Sequence, residues 1–208
     1  MSATTRSTLA AAVLAVPVLA QIAWPARFDA AGGHVSFAAS QLAGWALLAS
    51  VVLGAPAAAR TASPRGRRVV LAGCALQFSF ATLYGATAFD GEPLEASFVA
   101  FLLGFVALLV GGLLWATRLR RTPDGRVAAT GLCAIAVLGA LAILVGSDPF
   151  HDICLVSSYA AWIVVGRGFD NLRRPSADQD RDGTAPPSSE HESGRTNRAS
   201  EKAPSRRS

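Results

Sequence analysis

Two histidines and a scatter of carboxylates are the residues of this chain whose types suit chemistry. His34 and His151, together with Asp29, Asp90, Glu92, Asp148 and Asp152, are the ligand types that a divalent cation such as zinc takes, and a metal held by His34, His151 and Asp90 is the most specific reading they allow. Their spacing argues against it. Nothing like HExxH occurs, and carboxylates in connecting segments are ordinarily solvated, so the expectation is no metal, no catalytic residue and no cofactor. The GxSxG, Walker and dinucleotide-binding glycine patterns are absent as well. The three cysteines, Cys74, Cys133 and Cys154, form no CxxC pair and read as small hydrophobes. By these signs the chain is not an enzyme.

The elements that must position these residues are apolar helices. Hydrophobic residues make up 51% of the 208 and charged residues 16%, and the charges collect in short clusters that separate long uncharged runs. Between Arg6 and Arg27 lie 20 uncharged residues, between Arg68 and Asp90 lie 21, between Glu95 and Arg118 lie 22, and between Arg126 and Asp148 lie 21. A hydrocarbon core of roughly 30 Å needs a helix of about twenty such residues. His34 to Arg60 encloses 25, and Asp152 to Arg167 only 14, where Arg167 can snorkel and Phe150 and Phe169 extend the apolar length. The reading is an all-α polytopic integral membrane protein with six transmembrane helices, at about 7–26, 36–56, 69–89, 96–117, 127–147 and 150–168. Residues 1–170 then form the membrane domain, its main partner the lipid bilayer.

Arginines orient it. The second connection carries Arg60, Arg65, Arg67 and Arg68, and the fourth Arg118, Arg120, Arg121 and Arg126, whereas the third and fifth carry Asp90, Glu92, Glu95, Asp148 and Asp152. Basic connections stay cytoplasmic, so both termini are expected inside, in the inner (cytoplasmic) membrane of a bacterium whose GC-rich coding explains 18 Arg against one Lys. The positive charge is therefore topological and implies no nucleic-acid partner. The first helix, with Val18-Leu19-Ala20, also resembles a cleavable signal segment; apolar residues continuing through Ile22 and Trp24 favour a retained helix that tolerates Pro17.

Within the six runs as bounded by these charges no Asp, Glu, Lys, Arg or His occurs, which speaks against proton relays, ion paths and haem ligation at membrane depth. The amides and hydroxyls that remain, Gln41 and Gln77 foremost, read as hydrogen-bonding glue between helices, or alternatively as a polar path through helices two and three. Small residues at Ala46, Ser50 and Gly54, and at Gly104, Gly111 and Gly112, offer faces for close packing, within the chain or in a homo- or hetero-oligomer.

A 61-residue register runs through the chain: Phe28, Phe89 and Phe150, then Ser36-Phe37, Ser97-Phe98 and Ser158-Tyr159. It suggests three parallel helical-hairpin repeats, with the first Phe of each at the headgroup level. From Asn171 to Ser208 the chain turns polar and Ser-, Pro- and charge-rich, the composition of a disordered cytoplasmic tail. Arg173 and Arg174 at its start are close enough to the membrane to meet anionic lipid. The function expected from all this is a non-catalytic scaffold, regulatory or partner-associated component, with a carrier for a small neutral or weakly polar solute as the alternative.

Overall fold

The structure, a computed structural model, describes residues 1–24, 31–56, 64–87, 95–145 and 149–173. Phe28, Asp29, Phe89, Asp90, Glu92, Asp148, Arg174 and the rest of the polar tail lie outside the described residues. The fold is all-helical: α1 Ala3–Ala23, α2 Ala31–Leu53, α3 Pro64–Thr87, α4 Glu95–Leu119, α5 Arg126–Val145 and α6 Pro149–Asn171. No strand occurs among the described residues. All six helices are long and apolar enough to cross a membrane.

Helix ends do not coincide with the charge boundaries of the sequence, and the reason is capping. Residues 7–26 form the uncharged run, yet α1 starts at Ala3 because its first amide groups find acceptors. Ser2 Oγ accepts from Thr5 N at 3.0 Å, and the carboxylate of Asp170, from the end of α6, accepts from Ala3 N at 2.9 Å and Thr4 N at 2.8 Å. Proline at the first helical position starts α3 and α6, where its missing N–H is no loss. α3 therefore takes in Arg65, Arg67 and Arg68, and α6 runs on past Phe169 to Asn171. α1 passes through Pro17 without interruption.

Each helix packs on its neighbours in sequence, and α6 packs on α1, so the six close into a ring. Contacts run antiparallel all the way round. Arg6 of α1 reaches Ser50 of α2, His34 of α2 reaches Tyr84 of α3, His151 of α6 reaches Ala142 of α5, and Asp170 of α6 reaches Thr4 of α1. An even number of up-and-down helices leaves the last antiparallel to the first, which is what lets the ring close.

Glycines set the closeness of the packing. A Cβ on Gly73 would lie 2.9 Å from Gly104 O, one on Gly111 would lie 2.7 Å from Val70 N, and one on Gly131 would lie 2.9 Å from Val165 N. These glycines bring α3 against α4 and α5 against α6 backbone to backbone. Gly104 and Gly111 are thus used inside the chain. Gly112 is buried against α5 with more room, a Cβ there meeting Leu132 O at 3.6 Å.

The two ends of the ring differ. Toward the end that carries Met1 and Arg173, the interior is filled by Trp115, Trp162, Phe169, Leu48 and Leu119, each no more than 2% exposed. Trp115 and Phe169 meet across the bundle with centroids 5.1 Å apart. At this end the last carbonyls of α2 are capped by three arginines from elsewhere in the ring: Arg6 Nη1 donates to Ser50 O at 2.9 Å, Arg67 Nε to Val52 O at 3.1 Å and Arg67 Nη2 to Leu53 O at 3.2 Å, and Arg173 Nη2 to Gly54 O. A helix leaves its last four carbonyls unpaired and its C-terminus partly negative, and guanidinium groups answer both needs. The Ala46, Ser50, Gly54 face ends in this cluster, with a Gly54 Cβ meeting Arg6 and Arg173 at 3.0 and 3.1 Å.

Candidate functional site

At the opposite end, where α2, α4 and α6 begin, the ring interior is not filled. A cavity of about 270 Å³ opens there, walled by Val18 and Gln21 of α1, Phe37 of α2, Phe80 and Tyr84 of α3, Phe98 and Phe101 of α4, and His151, Asp152, Leu155 and Tyr159 of α6. A second depression of about 580 Å³ adjoins it, sharing Gln21, Phe101, His151 and Asp152 and adding Leu102, Ala142 and Ile143. Together they form a cup whose floor is the packed half of the bundle.

Its walls follow from helical spacing. Phe80 and Tyr84 stand four residues apart on α3, and Phe98 and Phe101 three apart on α4, so each pair shares one face. Phe80 is the hub, with ring centroids 5.5 Å from Tyr84, 6.3 Å from Phe98 and 5.1 Å from Phe101. Phe37 meets Tyr84 edge-on at 5.7 Å. Tilted and edge-on contacts of this kind are the favoured arrangements of aromatic quadrupoles and stiffen the wall.

The polar groups are few and oriented. His34 Nδ1 and Tyr84 Oη are 2.6 Å apart, which holds the phenol against α2. His151 Nδ1 lies 2.6 Å from Ala142 O; a backbone carbonyl only accepts, so Nδ1 carries the proton and Nε2 of the neutral ring is an acceptor. Asp152, in the first turn of α6, has a favourable place beside the positive end of that helix. Its carboxylate makes no hydrogen bond or ion pair with the described residues.

His34 is tied to Tyr84, and His151 lines the cup, but Asp90 lies outside the described residues. Among the described residues no three His, Cys, Asp or Glu side chains converge on a point where an ion would sit. Gln41 and Gln77 are both buried and do not share a partner. Trp45 Nε1 donates to Gln41 Oε1 at 2.9 Å, while the buried Gln41 amide nitrogen makes no hydrogen bond with the described residues. Gln77 Nε2 donates to Phe101 O at 2.9 Å, tying α3 to α4. Neither amide lines the cup.

What the residue types alone do not reveal is the aromatic wall. One signal was present: Phe37, Phe98 and Tyr159, the aromatics of the 61-residue register, all face this one cavity. The serines beside them do not behave alike. Ser36 is exposed, Ser97 is buried with its hydroxyl unpartnered, and Ser158 is buried and donates to Leu155 O at 2.7 Å. Set against protein-family models, curated proteins and solved structures, the chain matches none of them.

Proposed function

We propose that this chain is a multi-pass inner-membrane protein with both termini cytoplasmic, and that it is a non-catalytic component that holds a small molecule in a cup open to the outer face. The membrane reading draws on the apolar surface: Val99, Leu102, Leu103, Val106, Val110 and Leu113 form a continuous exposed stripe along α4, far more than a water-facing helix carries. The helices, of 20 to 25 residues, reach about 30–38 Å at 1.5 Å per residue. Orientation follows from the arginine-rich connections. Reporter fusions at Gly66, Glu92, Gly125 and Ser147 are expected to read inside, outside, inside, outside; an outside signal at Gly66 overturns it.

The observation that carries the binding role is the cavity itself, lined by five of the six helices and closed below. Pockets for small molecules are typically concave, mostly apolar and furnished with a few placed polar groups. A volume near 270 Å³ suits a molecule of on the order of ten non-hydrogen atoms. A carrier would need Trp115, Trp162 and Phe169 to part, and their burial favours a receptor-like or regulatory component over transport. The shared use of Phe37, Phe98 and Tyr159 favours three parallel hairpin repeats. Arg173, engaged by α2, remains close to the headgroups of the inner leaflet.

A direct test uses 3,3-dimethyl-1-butanol, a compact probe of matching size, with the detergent-purified protein. Saturable binding is expected, lost in Leu155→Trp, which fills the cavity from its wall while leaving the packed half untouched. A melting temperature for the variant equal to that of the parent secures the comparison. Equal binding by parent and variant counts against the cup as the site.

A further inference from the structure

We infer that the cup selects an ammonium-type organic cation, with the aromatic wall as the cage and Asp152 as its counter-charge; this rests on the cup being a binding site. Six aromatic side chains, Phe37, Phe80, Tyr84, Phe98, Phe101 and Tyr159, stand around one small cavity. Aromatic faces are electron-rich, and a desolvated cation among several of them is stabilised through the ring quadrupoles, the mode by which quaternary ammonium groups are recognised. An aromatic wall also takes apolar guests, but an apolar guest would have no use for a carboxylate beside it.

The charge is what decides. Asp152 lines both the cavity and the depression beside it, and among the described residues no arginine or lysine does. It is without an ion-pair partner among the described residues, and the arginines of those residues lie at the other end of the ring or in the connections there. Arg27, between α1 and α2 in the sequence, lies outside the described residues, so it is included in the test. His151 Nε2 and the Gln21 amide add acceptors for a hydroxyl or N–H on the same ligand. The adjoining depression, with Leu102 exposed by 50% and Ile143 by 39%, leaves room for an alkyl chain running toward lipid. The cation can therefore be a free solute or the headgroup of a lipid.

The experiment compares choline with its uncharged carbon isostere 3,3-dimethyl-1-butanol by calorimetric titration of the full chain in a maltoside detergent. Choline is expected to bind roughly tenfold or more tightly than the isostere, the scale of a desolvated cation–π contact. Asp152→Asn, which keeps the shape and removes the charge, is expected to reduce that advantage several-fold while leaving isostere binding unchanged. Phe101→Leu should weaken choline more than the isostere. Dihexanoylphosphatidylcholine against dihexanoylphosphatidylglycerol separates the sources: preference for the choline lipid without binding of free choline assigns a lipid headgroup, and binding of free choline assigns a solute. Arg27→Gln is expected to leave choline affinity unchanged; a cup that takes choline only in that variant overturns the inference, because Asp152 would then already be paired. Equal affinity for choline and isostere, insensitive to Asp152→Asn, overturns the cation class and leaves the cup standing. Absence of binding by both probes and both lipids overturns the cup as well.

Discussion

Gly168→Ala is expected to disrupt the bundle, although it adds one methyl group. A Cβ at this position would lie 2.6 Å from the Cα of Ala128 as well as against its backbone nitrogen. Backbone cannot swing aside as a side chain can, so α5 and α6 must separate, and the contacts along their whole interface loosen together. Overpacking of this kind typically costs about 1–3 kcal/mol. For helices that span a bilayer, as proposed, the loss would not be offset by a hydrophobic drive between helices, since lipid tails are as apolar as the core and close packing itself carries much of the association. Gly112→Ala is the control. With only Leu132 O nearby at 3.6 Å, it meets ordinary contact and gains helix propensity of about 1 kcal/mol. Melting in detergent should place Gly168→Ala well below the parent and Gly112→Ala at or above it. A Gly168→Ala protein that melts with the parent would refute the backbone contact.

The second large effect is expected at Asp170, which joins the last helix to the first. Its two carboxylate oxygens accept from Ala3 N at 2.9 Å, Thr4 N at 2.8 Å and Thr4 Oγ1 at 2.7 Å. A charged acceptor on the first amides of a helix satisfies unpaired donors and meets the positive end of the macrodipole. Hydrogen bonds to charged groups are worth about 1.5–3 kcal/mol, less where water can replace them. Asp170→Ala is expected to lower stability by about 1–2 kcal/mol and to free the N-terminal turn of α1. Asp170→Asn, which keeps one acceptor oxygen, should fall between. Amide hydrogen exchange at Ala3 and Thr4 should rise in Asp170→Ala before any change in α3 or α4. Unchanged protection at those two amides would mean that the ring is not closed there.

The same two contacts show where local reading stops. That α1 is a helix, that it tolerates Pro17 and that Ser2 precedes it are legible in its own residues. That an aspartate 167 positions away from Ala3 completes its cap is not, because nothing local to either segment records the other. The arginines divide in the same way. Their clustering in alternate connections is plain in the sequence, but Arg6, Arg67 and Arg173 also converge on the carbonyls of Ser50, Val52, Leu53 and Gly54, a use invisible until three segments are brought together.

By itself the sequence determined six helices long and apolar enough to cross a membrane, and the clustering of charge between them. These are properties of hydropathy, proline position and charge, each written within about twenty consecutive residues. Only the tertiary structure decided that the helices close into a ring, that one half of its interior is packed by Trp115, Trp162 and Phe169, and that aromatic side chains from four helices and Asp152 surround one cavity at the other end. The physical reason is that a helix's own pattern specifies which face is apolar but not what that face meets. Partner and depth are set by close approaches such as Gly131 on Val165 and Gly168 on Ala128, and a small change in any of them would move the wall of the cup.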